Sequence, residues 1–258
     1  MNQITRQRDF LVEVCAASLD DVMAANRSGA DRIELNAAVS LGGLTPSAGL
    51  LRETVSVSEL PVVTMCRPRP SGFCYTAGEY RTLLADCEAG LAGGATGIAF
   101  GVLQTDRRID QRRCRDIVAR ADGQETVFHR ALDLTPDLVE AVACLVDCGV
   151  TRVMTSGGQA TAAEGTARLA DLVARFGDQI EIMAAGGIRP ANRDAVLECG
   201  IRQIHAGPGT WAEDPSQPPE GPVRFDAAPA AAPHHYRVVC EETLRQLVRA
   251  PLSLDNPS

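Results

Sequence analysis

Two glutamates lie within segments that otherwise have the apolar pattern of buried strands. Glu13 is the middle residue of LVEVC, and Glu34 is the middle residue of RIELN. An ionised carboxylate in an apolar interior costs several kcal/mol unless it is paired, hydrogen-bonded or neutralised. Two carboxylates that meet at one place can share proton transfer across a substrate or hold a divalent ion. We therefore expect both glutamates to face polar partners in a shared pocket.

The elements that position these acids follow a repeated local pattern. The segments SGADRIEL, GGATGIAF, CGVTRVMT and CGIRQIHA each contain a glycine that ends a helix and then a strand. Between them lie the short β-rich runs FLVEVC, LPVVTMC, ETVFHR and QIEIMAA. The sequence thus predicts eight strands, which begin near residues 10, 32, 61, 97, 126, 152, 180 and 203.

Amphipathic helices fill the intervals between the predicted strands, because apolar residues recur there at helical spacing. The clearest are at 19–27, 80–91, 136–147 and 162–176. Eight βα units predict a single (β/α)8 TIM barrel domain over residues 1–258, with its core at about 10–212. A doubly wound sheet is the alternative, but the segment CAASLDD after the first strand lacks a Gly-rich dinucleotide fingerprint. No nucleotide cofactor is therefore expected.

The segment 206–235 departs from the repeated pattern. It is rich in proline and alanine, which favours a long loop over the barrel mouth after strand 8. A final helix is predicted at 236–248. No other segment indicates a linker or a domain boundary.

Composition excludes several classes of function. All 25 basic residues are arginine, and without lysine a Schiff-base aldolase, a lysine-bound pyridoxal enzyme and a P-loop are excluded. A net charge of -8 and an aromatic content of 4% argue against nucleic acid as a partner. No segment resembles a membrane span or a secretory signal. Nine cysteines without a C-x-x-C pair indicate reduced thiols, so we expect a cytoplasmic protein with no membrane partner.

The barrel prediction gives the polar residues a common location. In TIM barrels the catalytic face is built from the C-terminal ends of the strands and the loops after them. The catalytic candidates at that end are Glu13, Glu34, His129, Asp133 and His205. Alternation along the strands predicts that both glutamates point into the barrel axis. Asp133 either orients the His129 imidazole or begins the next helix, and alternation leaves open whether His129 or Arg130 faces inward.

Arginines and glycines near the same end suggest an anion site. Arg67 and Arg69 are separated by a proline that keeps the backbone extended, and such a pair suits a carboxylate or a phosphate. Alternatively, these arginines and Arg130 neutralise the two glutamates in a buried structural network. The loops after strands 6, 7 and 8 are where barrels commonly bind phosphate through backbone N–H groups. The candidate binding residues are Arg67, Arg69, Arg130, Ser156, Gly157, Gly186 and Gly187.

At these residues the chain resembles the CutC family of copper homeostasis proteins. The matching pieces, in order, are LVEVC, GADRIELN, GGLTPS, RPRPSGFCYT, FHRALD, TSG, MAAGGIR and IHAGPG, which together run from residue 11 to residue 209. The resemblance implies a cytosolic TIM barrel that is linked to copper handling. Its implication is stronger for the fold than for the mechanism.

The chain departs from the family pattern at one candidate copper ligand. Many members of the family resemble ELCAA where this chain has ELNAA, so Asn36 replaces a cysteine. Cu(I) prefers thiolate and thioether ligands. The remaining candidate metal ligands near the mouth are Cys15, Cys66 and Cys74.

Two functional hypotheses follow from these observations. The resemblance implies a copper homeostasis protein that binds Cu(I), and a divalent metal is an alternative ion. The residues alone favour an enzyme, such as a hydrolase, lyase or isomerase, that acts on a small anionic or sugar-like substrate by acid–base or metal-assisted chemistry. The expected partner is a small-molecule ligand or a metal ion, and the chain is compatible with a homo-oligomer.

Overall fold

A computed structural model describes residues 8–216, 223 and 234–249 of the chain. Eight parallel strands hydrogen-bond in sequence order, and the eighth pairs with the first to close a barrel. The TIM barrel prediction is therefore confirmed, and each strand begins within one residue of its predicted start. The barrel strands are β1 Leu11–Ala16, β2 Arg32–Leu35, β3 Val62–Met65, β4 Gly97–Phe100, β5 Glu125–Phe128, β6 Arg152–Thr155, β7 Glu181–Ala185 and β8 Gln203–Ala206.

Helices connect successive strands and cover the outside of the barrel. Several begin at a side-chain cap, as at Ser18, and at Thr76, which forms a reciprocal capping box with Glu79. The predicted helices at 136–147 and 162–176 start later than expected, and Asp137 caps the first of them. The helices are α1 Leu19–Ser28, α2 Ala48–Val57, α3 Ala77–Ala92, α4 Gln111–Arg120, α5 Leu138–Asp147, α6 Thr166–Phe176, α7 Pro190–Leu197 and α8 Glu241–Val248, with short 3₁₀ turns at Val39–Leu41 and Arg130–Leu134.

Apolar side chains pack on both sides of the sheet. Strand residues such as Val12 and Ile33 are fully buried against the helices. A separate, smaller apolar cluster includes Met65, Met154 and Met183, each on a barrel strand. Because successive side chains on a strand point to opposite faces, the residues between the outward-facing ones point into the barrel.

Strand register places the polar residues of β1, β2 and β8 beside one another inside the barrel. Glu13 pairs in register with Arg32 on β2 and with His205 on β8. One layer further toward the mouth, Cys15 pairs with Glu34. The predicted inward orientation of both glutamates therefore matches the structure.

The chain after β8 differs from the predicted loop and helix. Strands β9 Gly209–Glu213 and β10 His235–Val239 form an antiparallel pair. The helix predicted at 236–248 is wrong for its first residues, because Tyr236–Val239 pairs as a strand and the helix begins only at Glu241. The carboxylate of Asp21 on α1 fixes β10 in place by accepting a hydrogen bond of 2.7 Å from the Val239 N–H. Positions 217–222 and 224–233 of the predicted loop lie outside the described residues.

No helix within the described part of the chain combines the length and the apolar character needed to cross a membrane.

Candidate functional site

A pocket of about 510 Å³ lies at the carboxyl end of the barrel strands. Its floor is formed by inward-pointing strand residues, and its walls are formed by the loops that follow the strands. It is lined by Cys15, Glu34, Asn36, Val39, Gly42, Gly43, Met65, Arg67, Phe73, His129, Arg130, Ala131, Asp133, Leu134, Met154, Gly186, Gly187, Ile188, Arg189, His205, Ala206, Gly207 and Arg237. We refer to it as the mouth pocket.

Beneath the pocket, Glu13 forms a buried ion pair with Arg32. The Arg32 Nε donates to Oε2 of Glu13 at 2.5 Å, and its Nη2 donates to the side chain of Gln203 at 2.8 Å. The Glu13 side chain is only 1% exposed. Burial alone would raise its pKa, but the hydrogen bond from His205 and the charge of Arg32 together lower the pKa of Glu13 to about 2. Glu13 is therefore ionised, and its negative charge is fixed below the pocket.

His205 lies between the two glutamates. Its Nδ1 is 2.8 Å from Oε1 of Glu13, and its Nε2 is 3.8 Å from Oε2 of Glu34. Because an ionised carboxylate only accepts hydrogen bonds, Nδ1 carries the hydrogen that Glu13 accepts. Burial opposes protonation of the ring, but the charge of Glu34 and contacts with Cys15 and Glu13 raise the pKa of His205 well above its usual value.

Glu34 has the opposite electrostatic environment to Glu13. Asn36 Nδ2 donates to its Oε2 at 2.8 Å, but its Oε1 has no hydrogen-bond partner among the described residues. Burial is the main cause that raises the pKa of Glu34; the charge of Glu13 adds to this effect, and the charge of His205 opposes it. This unpartnered oxygen is buried and belongs to a residue that lines the pocket.

Cys15, Glu34 and His205 form the one cluster of potential metal ligands found among the described residues. Their donor atoms all lie within 4.8 Å of one another. Asn36 supports this cluster, because its Nδ2 also lies 3.4 Å from the Cys15 sulfur. Asn36 therefore holds two of the three candidate ligands in place.

The other two predicted metal-ligating cysteines do not reach this cluster. Cys66 is buried outside the barrel axis, where its thiol contacts the Thr64 carbonyl and Cys87. Contact with Cys87 and burial raise the pKa of Cys66 well above its usual value. Cys74 is exposed and lines a separate surface depression beside Arg107. Of the three candidate metal-ligating cysteines, only Cys15 lines the mouth pocket; Cys66 follows Met65 of β3, and strand alternation turns its side chain away from the pocket.

His129, and not only Arg130, lines the mouth pocket. The His129 Nδ1 accepts a hydrogen bond of 3.1 Å from the Ala131 N–H, and its ring packs on Phe73 with 4.9 Å between centroids. Its Nε2 is buried and has no partner among the described residues. Burial, with the charge of Arg67 adding to it, lowers the pKa of His129 to about 3. His129 is therefore a neutral imidazole.

Asp133 does not orient His129. Its Oδ1 accepts hydrogen bonds from the Thr155 hydroxyl at 2.5 Å and from the N–H groups of Ser156 and Gly158 at 3.0 and 3.1 Å. Its Oδ2 accepts from Arg130 Nε at 2.8 Å. Asp133 lies within the 3₁₀ turn Arg130–Leu134 rather than at the start of α5. Both interpretations of this residue are therefore wrong, because it holds the loop after β6 against that turn.

The loop after β6 consequently offers little to an anion. The Ser156 N–H is satisfied by Asp133, and the Gly157 N–H donates to the Thr155 hydroxyl at 2.9 Å. Neither residue lines the mouth pocket. Gly186 and Gly187, after β7, do line it, and both adopt a positive φ.

The side chains of the two arginines in the RPRP segment point to different places. Arg67 lines the pocket, and its Nη1 donates to the carbonyls of Leu41, Gly42 and Gly43 at 2.8–3.1 Å. Arg69 turns away from the pocket and pairs with Glu79 at 2.6 Å. The prediction that both anchor one ligand is wrong, because proline restricts the backbone but leaves the direction of the long side chain free.

The alternative in which Arg67, Arg69 or Arg130 neutralises the glutamates is also wrong, because the arginine that forms an ion pair with Glu13 is Arg32. The parity of the strands could have revealed this partner: Arg32 lies two residues before Glu34, and Gln203 two residues before His205, so all four face inward. Arg237 was missed for another reason. It lies on β10, and no local pattern in the sequence places that segment at the mouth.

Comparisons with known proteins agree with this architecture. The sequence model of the CutC family matches residues 10–210. A CutC family protein from Treponema denticola is 41% identical over 210 residues, which cover 81% of this chain and 85% of that protein. A Caulobacter vibrioides CutC protein is 40% identical over 211 residues, 80% of this chain and 86% of that one.

A solved structure bears the same family name. The CutC structure from Streptococcus agalactiae superimposes with a TM-score of 0.72 at 28% identity and covers 76% of this chain and 97% of that one. The family match extends over the whole barrel, including every strand that supplies a residue to the floor of the mouth pocket. The chain therefore belongs to the CutC family.

Proposed function

We propose that this CutC-family protein acts in copper homeostasis by binding a copper ion at the barrel mouth through Cys15, Glu34 and His205. Copper homeostasis is the role given provisionally in the name of the Streptococcus agalactiae structure. The observation that carries the proposal is the convergence of the three donor atoms within 4.8 Å of one another. They lie at the end of the barrel where related architectures place their functional residues.

The chemistry of the donors fits a copper ion. A cysteine thiolate is a preferred ligand of Cu(I), and imidazole suits copper in either oxidation state. Glu34 supplies a carboxylate oxygen whose lone pairs are not used by any described residue. Copper also binds a given nitrogen, oxygen and sulfur site more tightly than the neighbouring divalent metals do.

The surroundings of His205 support its role as a ligand. Histidines that bind metals usually donate their other ring N–H to a carboxylate, which fixes the tautomer and the ring orientation. Glu13 provides that carboxylate at 2.8 Å from Nδ1 and leaves Nε2 directed toward Glu34. Arg32 in turn holds Glu13, so the imidazole is oriented before any ion binds.

A competition titration tests the proposal. Cu(I) would be titrated against a chromophoric chelator with the wild-type protein and with the Cys15→Ser and His205→Gln variants. We expect each substitution to weaken binding by more than about tenfold, the effect of losing roughly 1.4 kcal/mol. Cys74→Ser is the matched control and should bind as the wild type does, because Cys74 lies outside the mouth pocket. Binding that ignores Cys15→Ser and His205→Gln would refute the site.

The same pocket supports a second candidate function, an enzyme that uses Glu34 as a general acid or base on a small molecule. The observation that favours it is the unpartnered Oε1 of Glu34, which belongs to a buried side chain on the wall of a 510 Å³ pocket. Glu13 and Glu34 are held in opposite environments, and such a pair of carboxylates can divide acid and base roles. The neutral His129 offers a second group for proton transfer.

Glu34→Gln distinguishes the two candidates. It keeps the size of the side chain and the hydrogen bond from Asn36, but it removes the exchangeable proton. An acid–base enzyme should retain its ligand affinity and lose turnover of any substrate that a metabolite screen by thermal shift identifies. A copper site should instead show weaker metal binding. If the variant fails to fold, Glu34 has a structural role and the acid–base candidate is wrong.

A further inference from the structure

The mouth pocket is larger than a metal ion requires. The four waters around a hydrated ion occupy roughly 120 Å³, at about 30 Å³ for each water. The pocket encloses about 510 Å³, a volume within the usual range for organic ligands, roughly 300–1,000 Å³. Space therefore remains beside the cluster of Cys15, Glu34 and His205 for a second, larger ligand.

The rim of the pocket carries positive charge in a protein whose net charge is -8. Of the residues that line it, four are arginines and two are carboxylates, namely Arg67, Arg130, Arg189 and Arg237 against Glu34 and Asp133. Asp133 is already paired with Arg130. Arg189 and Arg237 bond only to carbonyls, those of Ile188 and Gly207, among the described residues. Such a rim attracts a small anion.

The loops after β7 and β8 also contribute to the lining of the pocket residues whose backbone N–H groups are unpaired in the described part of the chain. Those of Gly187, Ile188 and Gly207 donate to no described residue, and all three residues line the pocket. Gly187 adopts a φ of 68°, a conformation that glycine adopts readily. The helix α7 starts at Pro190, directly after this turn, so its positive dipole end also faces the rim.

Other residues that line the pocket carry polar atoms for the rest of a ligand. Three buried atoms among them lack a hydrogen-bond partner among the described residues: Oε1 of Glu34, Oδ1 of Asn36 and Nε2 of His129. Each of these residues is at most 5% exposed and lines the pocket. Buried polar atoms are normally satisfied, so three unpartnered atoms on residues of one pocket indicate a polar ligand.

We infer that the mouth pocket binds a small phosphorylated molecule, whose phosphate lies between the loops after β7 and β8 and contacts Arg189, Arg237 and the N–H groups of Gly187, Ile188 and Gly207. The polar body of the molecule extends toward Glu34 and His129. If the protein is the acid–base enzyme of the second candidate function, the phosphorylated molecule is its substrate, and this part of the inference rests on that function. The phosphate-binding site itself does not depend on copper binding.

Calorimetric titration with inorganic phosphate and with glycerol 3-phosphate, at constant ionic strength, tests the inference. We expect the phosphate ester to bind more tightly than inorganic phosphate and glycerol not to bind. The double variant Arg189→Gln/Arg237→Gln should weaken the affinity for the ester by about tenfold or more. Arg202→Gln is the matched control, because Arg202 is an exposed arginine just before β8, at the other end of the barrel. It should change the affinity less than about twofold.

Two results would overturn the inference. One is the absence of saturable binding of either phosphate probe at millimolar concentration; the other is equal loss of affinity in the double variant and in Arg202→Gln. Because Arg237 is itself part of the β9–β10 pair, Arg189→Gln alone serves as a second variant, in an exposed side chain whose loss should not alter folding. The copper titration and the ester titration are each carried out on the wild-type protein without the other ligand, so failure of the copper site and failure of the phosphate site are separable.

Discussion

Replacement of Arg32 by methionine should strongly destabilise the protein. Arg32 is 6% exposed, and its Nε lies 2.5 Å from the carboxylate of Glu13, which is itself buried. Removal of one partner from a buried ion pair leaves an uncompensated charge and typically costs about 3–5 kcal/mol. His205 and Arg32 together lower the pKa of Glu13 from 4.5 to about 2, which corresponds to about 3 kcal/mol of favourable interaction shared between these two partners. We therefore expect Arg32→Met to lower the free energy of unfolding by about 3–5 kcal/mol.

Urea denaturation of a double-mutant cycle measures this effect. Glu13→Gln removes the buried charge, so the combination Glu13→Gln/Arg32→Met should be more stable than the sum of the two single effects by at least about 1 kcal/mol. Arg52→Met is the matched control: the Arg52 side chain is 77% exposed, and its pair with Glu53 should contribute less than about 1 kcal/mol. If Arg32→Met lowers the free energy of unfolding by less than about 1 kcal/mol, or if the two single effects are strictly additive, the claim that the buried Glu13–Arg32 pair supports His205 is refuted.

Three further predictions concern the mouth pocket. Since burial lowers the pKa of His129 from 6.5 to about 3, the unfolded chain takes up this proton first. The contribution of His129 to the free energy of unfolding is therefore fully present above about pH 6.5, and up to about 5 kcal/mol of it is lost as the pH falls toward 3. In urea denaturation at a series of pH values, His129→Gln should show a flatter profile over this range. Asp133→Ala should cost about 2–4 kcal/mol in thermal unfolding, because buried donors lose their acceptor; an unchanged melting temperature would contradict this role. Gly43→Ala should lower the free energy of unfolding by at least about 1 kcal/mol, because the residue has a φ of +82° and the new Cβ would lie 2.4 Å from the Asn36 side chain. Gly72→Ala is the matched control and should be neutral, because the space around Gly72 is open.

The barrel could be predicted from the sequence because its signals are local. A glycine such as Gly29 ends a helix in the left-handed conformation, and a short β-rich run follows it. That combination recurs and fixes each strand to within one residue. The helix boundaries could be predicted less accurately than the strands, because α5 starts only where Asp137 can cap it. The helix predicted over Tyr236–Val239 is wrong, because this segment pairs with Trp211 and its neighbours, and no local pattern specifies a contact between segments so far apart in sequence.

The site could be predicted only in part. The alternation of the strands gave the inward direction of Glu13 and Glu34, and the barrel rule gave their common end. The partners of each side chain depend on strand register and on rotamers, which no local pattern specifies. Arg69 therefore pairs with Glu79 within its own segment, although it was expected at the pocket.

Asp133 and the arginines on the rim also show that the partners of a side chain could not be predicted from the sequence. Asp133 lies near His129 in sequence, but its carboxylate is directed to the loop after β6, because several N–H and hydroxyl donors converge there. Arg189 follows the Gly-Gly turn that was assigned to anion binding, so its place at the rim is consistent with that assignment. Arg237 reaches the rim from the opposite side only through β10.

X-ray absorption spectroscopy of the copper-loaded protein tests the central claim most directly. Coordination by Cys15, Glu34 and His205 predicts a mixed first shell with one sulfur and at least one imidazole nitrogen, in which Cys15→Ser removes the sulfur and His205→Gln removes the imidazole. A first shell of sulfur atoms alone that persists in both variants would place copper on other cysteines and would contradict a metal site at the barrel mouth.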